Sequence, residues 1–212
     1  MKTIAVFGAT GKTGKELVRQ AIDRGYSIRA LVRNPAKIET AETNVHIIQG
    51  DVMDSGKVEE TIRGAEAVLN VLGGAKGSAP DLKVVSTGHI VSAMQKQGVK
   101  RILKMASAPF GVPGEGDKPS FGQKLMARMV KIMAKAPVID DVISCEQLRK
   151  SPVDWTIIRA PMLTNKPLST SRYRIGSLGN SGNSVSRASV AAFLLDELEN
   201  GQYIRKSPLV SN

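Results

Sequence analysis

Short apolar runs alternate with segments in which apolar residues recur every three or four positions, and the alternation persists nearly to the end of the 212 residues. The runs Thr3–Phe7, Ser27–Val32, Val45–Gln49, Ala67–Asn70, Arg101–Met105 and Trp155–Arg159 are rich in Val, Ile and Leu, and they predict β-strands. The intervening segments near Lys12–Arg24, Asp54–Arg63, Asp81–Gln97, Ser120–Ala134 and Asp140–Lys150 carry the helical period. The late segment Ser186–Leu198 repeats it, with Ala188, Ala191, Ala192, Leu194, Leu195 and Leu198 as core candidates, and Tyr203–Val210 predicts a final edge strand. Strands alternating with helices predict the α/β class: a doubly wound parallel sheet with helices on both faces, one domain over residues 1–212. Two loops rich in Gly and Pro, Ala106–Pro119 and Pro161–Asn183, leave the C-terminal ends of predicted strands. Such sheets bind ligands there, so both loops are expected to wall a substrate pocket.

The first strand runs into a glycine-punctuated turn that opens a helix, TIAVFGATGKTGKELV. Gly8, Gly11 and Gly14 stand three apart in the order strand, loop, helix. A dinucleotide site asks for this arrangement: the turn must be tight, the backbone must approach a pyrophosphate closely, and the helix must aim its free N–H groups at the anion.

The second strand ends in LVRNPAK. Arg33 falls 19 residues after Gly14, where an NAD-specific fold places Asp or Glu for the ribose 2′-hydroxyl. A carboxylate there repels a 2′-phosphate and an arginine pairs with it, with Lys37 as a second cation if the chain turns at Pro35. The reading is NADP(H) over NAD(H); the plain alternative is that both cations decorate a surface loop. After the third strand, Asp51 in Gly50-Asp51-Val52 fits either an adenine contact or a cap for the helix near Asp54. Leu72-Gly73-Gly74 after the fourth strand fits close passage of backbone beside a cofactor, or an ordinary turn.

Composition narrows the class. A 42% hydrophobic share with no apolar run approaching ~18 residues gives no membrane span. The chain starts as a strand with no basic-then-apolar leader and has one cysteine, Cys145, which points to the cytoplasm and to a helix-packing thiol. The formal net charge is +11, and its densest cluster, Lys124 to Lys135, spaces Lys124, Arg128, Lys131 and Lys135 along one face of an amphipathic helix. Only 4% of residues are aromatic, too few for a base-stacking surface, so nucleic acid is not an expected partner. The charge instead favours phosphate-bearing small molecules. The two histidines, His46 and His89, fall in a predicted strand and a predicted helix and read as structural, and no metal site is expected.

As a set, GATGKTG, LVR with a lysine four residues on, GDV, VLGG, Ala106-Ser107-Ala108 and DWTIIRAP resemble the NmrA-like, NAD(P)H-binding atypical short-chain dehydrogenases. The spacing is most similar to the branch of NADPH-dependent flavin reductases, which include biliverdin reductase B. The resemblance runs from Lys2 to about Leu209. It implies a Rossmann fold, a monomer, and a pyrophosphate held by Gly8, Thr10, Gly11, Lys12 and Thr13, with Gly14 letting helix and sheet pack closely. It further implies Arg33 and Lys37 on the 2′-phosphate, Asp51 and Val52 on the adenine, and Leu72 and Gly73 on the ribose side. Met105 and Ser107 would lie near the nicotinamide, with Pro161 and Met162 closing over it.

The departures bear on chemistry. Tyr26, Tyr173 and Tyr203 each lack a lysine four residues later, so the Tyr-x-x-x-Lys base pair of alcohol-oxidising short-chain dehydrogenases is absent. The branch's histidines near the positions of Asp141 and Met162 are absent too, which argues against biliverdin itself as the substrate. Ser107 is the polar residue left at the usual catalytic strand end, either as a donor to an acceptor oxygen or as a structural serine. Asp140, Asp141 and Glu146 offer carboxylates, with Asp140 also fitting an N-cap for the helix that follows. The expected activity is hydride transfer from NADPH to a small planar or carbonyl acceptor such as a flavin or quinone. A non-catalytic redox sensor of the NmrA type is the alternative, and a sugar-nucleotide epimerase is disfavoured by the same missing pair.

Overall fold

A computed structural model describes residues 2–38, 43–74, 77–106, 112–118, 121–122, 125 and 136–212. Its strands are β1 (Thr3–Phe7), β2 (Ser27–Val32), β3 (Val45–Gln49), β4 (Ala67–Asn70), β5 (Arg101–Ala106), β6 (Asp154–Arg159), β7 (Met162–Thr164), β8 (Arg174–Gly176), β9 (Ser184–Ser186) and β10 (Leu209–Ser211). The described helices are α1 (Lys12–Asp23), α2 (Ser55–Ile62), α3 (Leu82–Gln97), α4 (Ala136–Lys150) and α5 (Arg187–Asn200).

Eight strands form one sheet in the order β3-β2-β1-β4-β5-β6-β10-β8, and β7 pairs with β9 beside it. All neighbours in the large sheet are parallel except β10 and β8. The two-residue period of the strands feeds two cores. Ile4 and Val6 of β1 face the layer of α1 and α5, with Leu17, Ala21, Val190 and Leu194. Ala5 and Phe7 face the other layer, with Val58, Ile62, Ile90, Met94 and Leu148 of α2, α3 and α4. No helix among the described residues is long and apolar enough to cross a membrane.

Two expectations need correction. The final strand is Leu209–Ser211, and it lies inside the sheet because β8 adds antiparallel to its outer side. Gln202–Arg205 form a turn instead of a strand. Helix α4 is described from Ala136, so Asp140 lies within it and not at its start. The expected basic helix over Ser120–Ala134 lies outside the described residues except for Phe121, Gly122 and Leu125.

The two late loops are tied by a buried ion pair. Arg159, at the end of β6, is fully buried and donates to both oxygens of Asp117 at 2.7 and 2.9 Å and to the Ser207 carbonyl at 2.8 Å. Asp117 also accepts the backbone N–H groups of Gly114 and Leu178, each at 2.9 Å, so one carboxylate stitches residues 112–118 to the loop between β8 and β9. Burial works against its charge, but the Arg159 hydrogen bonds and those two N–H groups hold the carboxyl below the usual range.

A carboxyl whose folded pKa is depressed stabilises the fold fully above its unfolded value and loses that contribution as the pH falls through the folded value. Asp117→Asn should cost about 3 kcal/mol in denaturant unfolding at neutral pH by leaving Arg159 half-paired. The difference from wild type should shrink below pH ~4. A gap independent of pH would refute this account.

Candidate functional site

The turn between β1 and α1 depends on two positions that cannot carry a side chain. Gly8 has φ 89°, and a Cβ there would stand 2.8 Å from the Val71 carbonyl group of the neighbouring strand end. At Gly14 a Cβ would land on the Gly8 carbonyl oxygen and 2.7 Å from that of Ala9. Gly11 N–H donates to Gly8 O at 3.0 Å and closes the turn. Gly11 is also the N-cap of α1; no side chain caps this helix and no acidic residue sits in its first turn. The first-turn N–H groups of a helix have no intrahelical partner, so this end favours an anion.

Two adjoining cavities open along the C-terminal ends of β1 and β4, where the strand order reverses. They share Gly11, Val71, Gly73, Gly74 and Leu82 and so form one groove. The smaller, about 330 Å³, brings together Gly8, Thr10, Gly11, Arg33, Lys37, Asp51, Val52, Leu72 and Gly73. Asn34 Oδ1 accepts from Ala36 N at 3.1 Å and starts the single 3₁₀ turn Pro35–Lys37, which returns Lys37 to the wall that holds Arg33. Among the described residues neither cation has an acidic partner. The capping role weighed for Asp51 belongs to Asp54, whose carboxylate accepts from Gly56 N and Lys57 N. Asp51 accepts from Met53 N at 2.9 Å and lines the cavity. His89 serves this wall indirectly, its Nδ1 lying 3.1 Å from the Val52 carbonyl oxygen, while His46 is exposed on β3.

The larger cavity, about 710 Å³, has Gly11, Lys12, Thr13 and Gly73 at the side it shares with the first, and Met105 at the end of β5. Leu82 and Lys83 of α3, Pro137, Val138 and Asp140 of α4, Leu163 of β7 and Arg187 of α5 complete it. Pro161 and Met162 are not part of its wall. Met162 is 69% exposed, and its neighbour Leu163 faces inward, because successive side chains of a strand point to opposite sides. Gly14 lies beneath the groove as a packing residue, and Ser107 falls outside the described residues.

Buried charge fills the base of this cavity. Asp140 does not cap its own helix; its two oxygens accept from Lys83 N at 2.8 Å and Val84 N at 2.9 Å, so α4 caps α3. The carboxylate of Asp141 is fully buried, with one oxygen 3.1 Å from Lys83 Nζ and 3.2 Å from Lys104 Nζ. Lys104 Nζ also lies 3.6 Å from Cys145 Sγ. Burial pushes the Cys145 thiol up against the pull of Lys104, so it stays protonated at neutral pH and packs as a helix thiol. The hydrophobic pattern missed Lys83, Lys104, Leu163 and Arg187 as site residues. The single cation in the apolar run Ile102-Leu103-Lys104-Met105 was the available signal, because a strand covered on both faces buries a charge only with a partner.

A family model described as NAD(P)H-binding matches residues 8–201. The chain belongs to this NAD(P)H-binding family. Among curated relatives, an uncharacterized chloroplastic protein of Arabidopsis thaliana is 28% identical over 187 residues, covering 78% of this chain and 61% of its own length. Dihydroflavonol 4-reductase of Solanum lycopersicum is 24% identical over 197 residues, 81% of this chain and 52% of its own. The chain thus spans only part of the length of these relatives. Two solved structures share the Rossmann architecture. A short-chain dehydrogenase/reductase of Veillonella parvula in complex with NADP superposes with TM-score 0.77 at 22% identity, covering 100% of this chain and 94% of that one. The anaerobilin reductase ChuY of Escherichia coli O157:H7 gives 0.79 at 18%, covering 99% and 97%.

In this NAD(P)H-binding chain the Asp140 cap fixes the first turn of α3, and with it Leu82 and Lys83 in the cavity wall. Asp140→Ala should lower stability by about 1–2 kcal/mol in thermal or denaturant unfolding. A variant as stable as wild type would show that α3 does not rely on this cap.

Proposed function

We propose that the chain is an NADPH-dependent reductase that delivers hydride to a small planar or carbonyl acceptor, such as a flavin or a quinone. The observation that carries the reading is the groove itself: one chamber holds Arg33 and Lys37, which have no acidic partner among the described residues, and it opens into a second chamber beside Met105. The residues present suit NADPH. The uncapped end of α1 with Gly8, Thr10, Gly11, Lys12 and Thr13 would hold the pyrophosphate, and Arg33 with Lys37 the 2′-phosphate. Asp51 and Val52 would meet the adenine, and Leu72 and Gly73 the ribose. Bound NADPH supplies the hydride; the protein positions the acceptor and excludes water. Met105 would border the nicotinamide, and Ser107, directly after β5, would donate its hydroxyl to the acceptor.

Alcohol oxidation by a tyrosinate base is not supported. Tyr26 OH donates to Glu199 at 3.2 Å and Tyr173 OH to Asp196 at 2.7 Å, both on the α1–α5 layer away from the groove. Burial, together with Glu199, pushes Tyr26 up to about 12. Burial and the Asp196 hydrogen bond also raise Tyr173. Neither phenol ionises near neutrality. A redox sensor of the NmrA type is the second reading, favoured by the missing Tyr-x-x-x-Lys pair.

Calorimetric titration should give tighter binding of NADPH than of NADH. Arg33→Ala should weaken NADPH by about 1.5–3 kcal/mol, roughly 10- to 150-fold, with little change for NADH. Equal weakening of both would remove the 2′-phosphate assignment. Oxidation of NADPH above background with riboflavin or a soluble naphthoquinone supports the reductase, and tight binding without turnover supports the sensor.

A further inference from the structure

We propose that Lys83 is the proton donor of the acceptor chamber and that Asp141, shared with Lys104, positions it. The assignment rests on the reductase reading and adds the group that completes its chemistry. Hydride transfer to a quinone or flavin leaves negative charge on an oxygen or nitrogen of the acceptor, and in a chamber walled by Val71, Leu82, Met105, Val138 and Leu163 that charge needs a nearby proton.

The other ionisable groups of the wall are poorly suited. Lys12 is exposed at the end of α1 where the pyrophosphate is expected. Arg187 donates to Asn165 Oδ1 at 2.6 Å, and a guanidinium does not release protons near neutrality. The two oxygens of Asp140 are engaged by backbone N–H groups of α3. Lys83 is the buried cation of the wall: its side chain is 7% exposed and its Nζ lies 3.1 Å from an Asp141 oxygen.

The cluster behind it suits proton release. One Asp141 oxygen serves the ammonium groups of Lys83 and Lys104, and both charges lie in the interior. Among the described residues, the Asp140 carboxylate, engaged by α3, and the protonated thiol of Cys145 also lie beside the cluster. Loss of the Lys83 proton converts two cations on one carboxylate into the single pair Asp141–Lys104. Burial alone would lower Lys104, yet the charge and hydrogen bond of the Asp141 carboxylate hold it above the usual lysine value, so Lys104 keeps its proton. Of the two lysines, only Lys83 is in the cavity wall.

The step balances as follows. Bound NADPH would supply a hydride, whose electron pair would form the new bond to hydrogen on the acceptor. The acceptor π pair moves to its oxygen or ring nitrogen, which takes a proton from Lys83 Nζ while the N–H pair stays on the amine. Water at the cavity mouth returns the proton to Lys83.

The test compares Lys83→Met, Lys83→Arg and Lys104→Met by NADPH calorimetry, thermal melting, and steady-state oxidation of NADPH with a soluble naphthoquinone across pH. Lys83→Met should melt cooperatively and bind NADPH within about threefold of wild type while kcat falls about 100-fold or more and the alkaline limb of its pH profile disappears. Lys83→Arg keeps the charge without a transferable proton and should stay within about tenfold of the methionine variant. Lys104→Met removes the second lysine that shares Asp141 but leaves Lys83 in the cavity wall, so it should lose stability and lower kcat, by less than Lys83→Met does. A Lys83→Met enzyme with wild-type kcat, or a Lys83→Arg enzyme with restored kcat, overturns proton donation and leaves the reductase reading standing. A wild type that binds NADPH but reduces no acceptor overturns the reductase reading and this assignment together.

Discussion

Contact between a helix and the carbonyl oxygen of the preceding strand sets the geometry on which the groove depends. Gly14 sits so close to Gly8 O that any side chain would force α1 away from β1. β1 is held on both sides by parallel neighbours, β2 and β4, so it cannot yield. The uncapped helix end is therefore fixed over the boundary between the two chambers, and its position is set by steric exclusion, with no attractive contact needed. Gly8 extends the constraint to the far side of the turn, where its φ of 89° admits the Val71 backbone that both chambers share.

Around that rigid turn, buried carboxylates place the segments that the apolar pattern leaves undetermined. Asp117 joins the two late loops through Arg159. Asp140 fastens α4 to the first turn of α3. Glu197 accepts from Arg101, Thr156 and the N–H groups of Gln202 and Tyr203, which turns the chain after α5 back beside β6. Each tie is made by a group that is costly to bury unpaired, so each favours one arrangement over alternatives with the same apolar area.

Much of the frame was legible in the sequence because its signals are local. The strands β1 to β4 have the predicted limits, since β1 and β3 run into a glycine, β2 into Arg33-Asn34-Pro35 and β4 ends on Asn70, and Asp54 and Ser186 mark helix starts as caps do. Arg33 and Lys37 could be placed on one wall because a proline turn follows a strand end whose position the fold dictates. Which of Met162 and Leu163 faces the cavity was not legible, because a three-residue strand in a glycine-rich loop has too few positions to show which face is inward. The interior position of β10 was hidden for the same reason: its outer neighbour β8 is three residues long. Lys83, Lys104 and Asp141 meet only through the packing of α3, β5 and α4, and no periodicity reports a contact between three elements so far apart in the chain.

The placement of charge explains more than its sum. Along the groove, Lys12, Arg33, Lys37, Lys83 and Arg187 face a cavity whose acids are engaged elsewhere: Asp51 by Met53 N and Asp140 by the start of α3. An anion entering the groove meets Arg33 and Lys37, which have no acidic partner among the described residues, and a helix end with no acidic residue in its first turn. At Lys83 the logic inverts, because Asp141 already holds the ammonium in place. The outer cations are therefore arranged to attract a bound anion, whereas the inner one is arranged to be oriented before any ligand arrives. Groups with the same formal charge thus stand in opposite situations along the groove, according to whether a carboxylate partner is already in place.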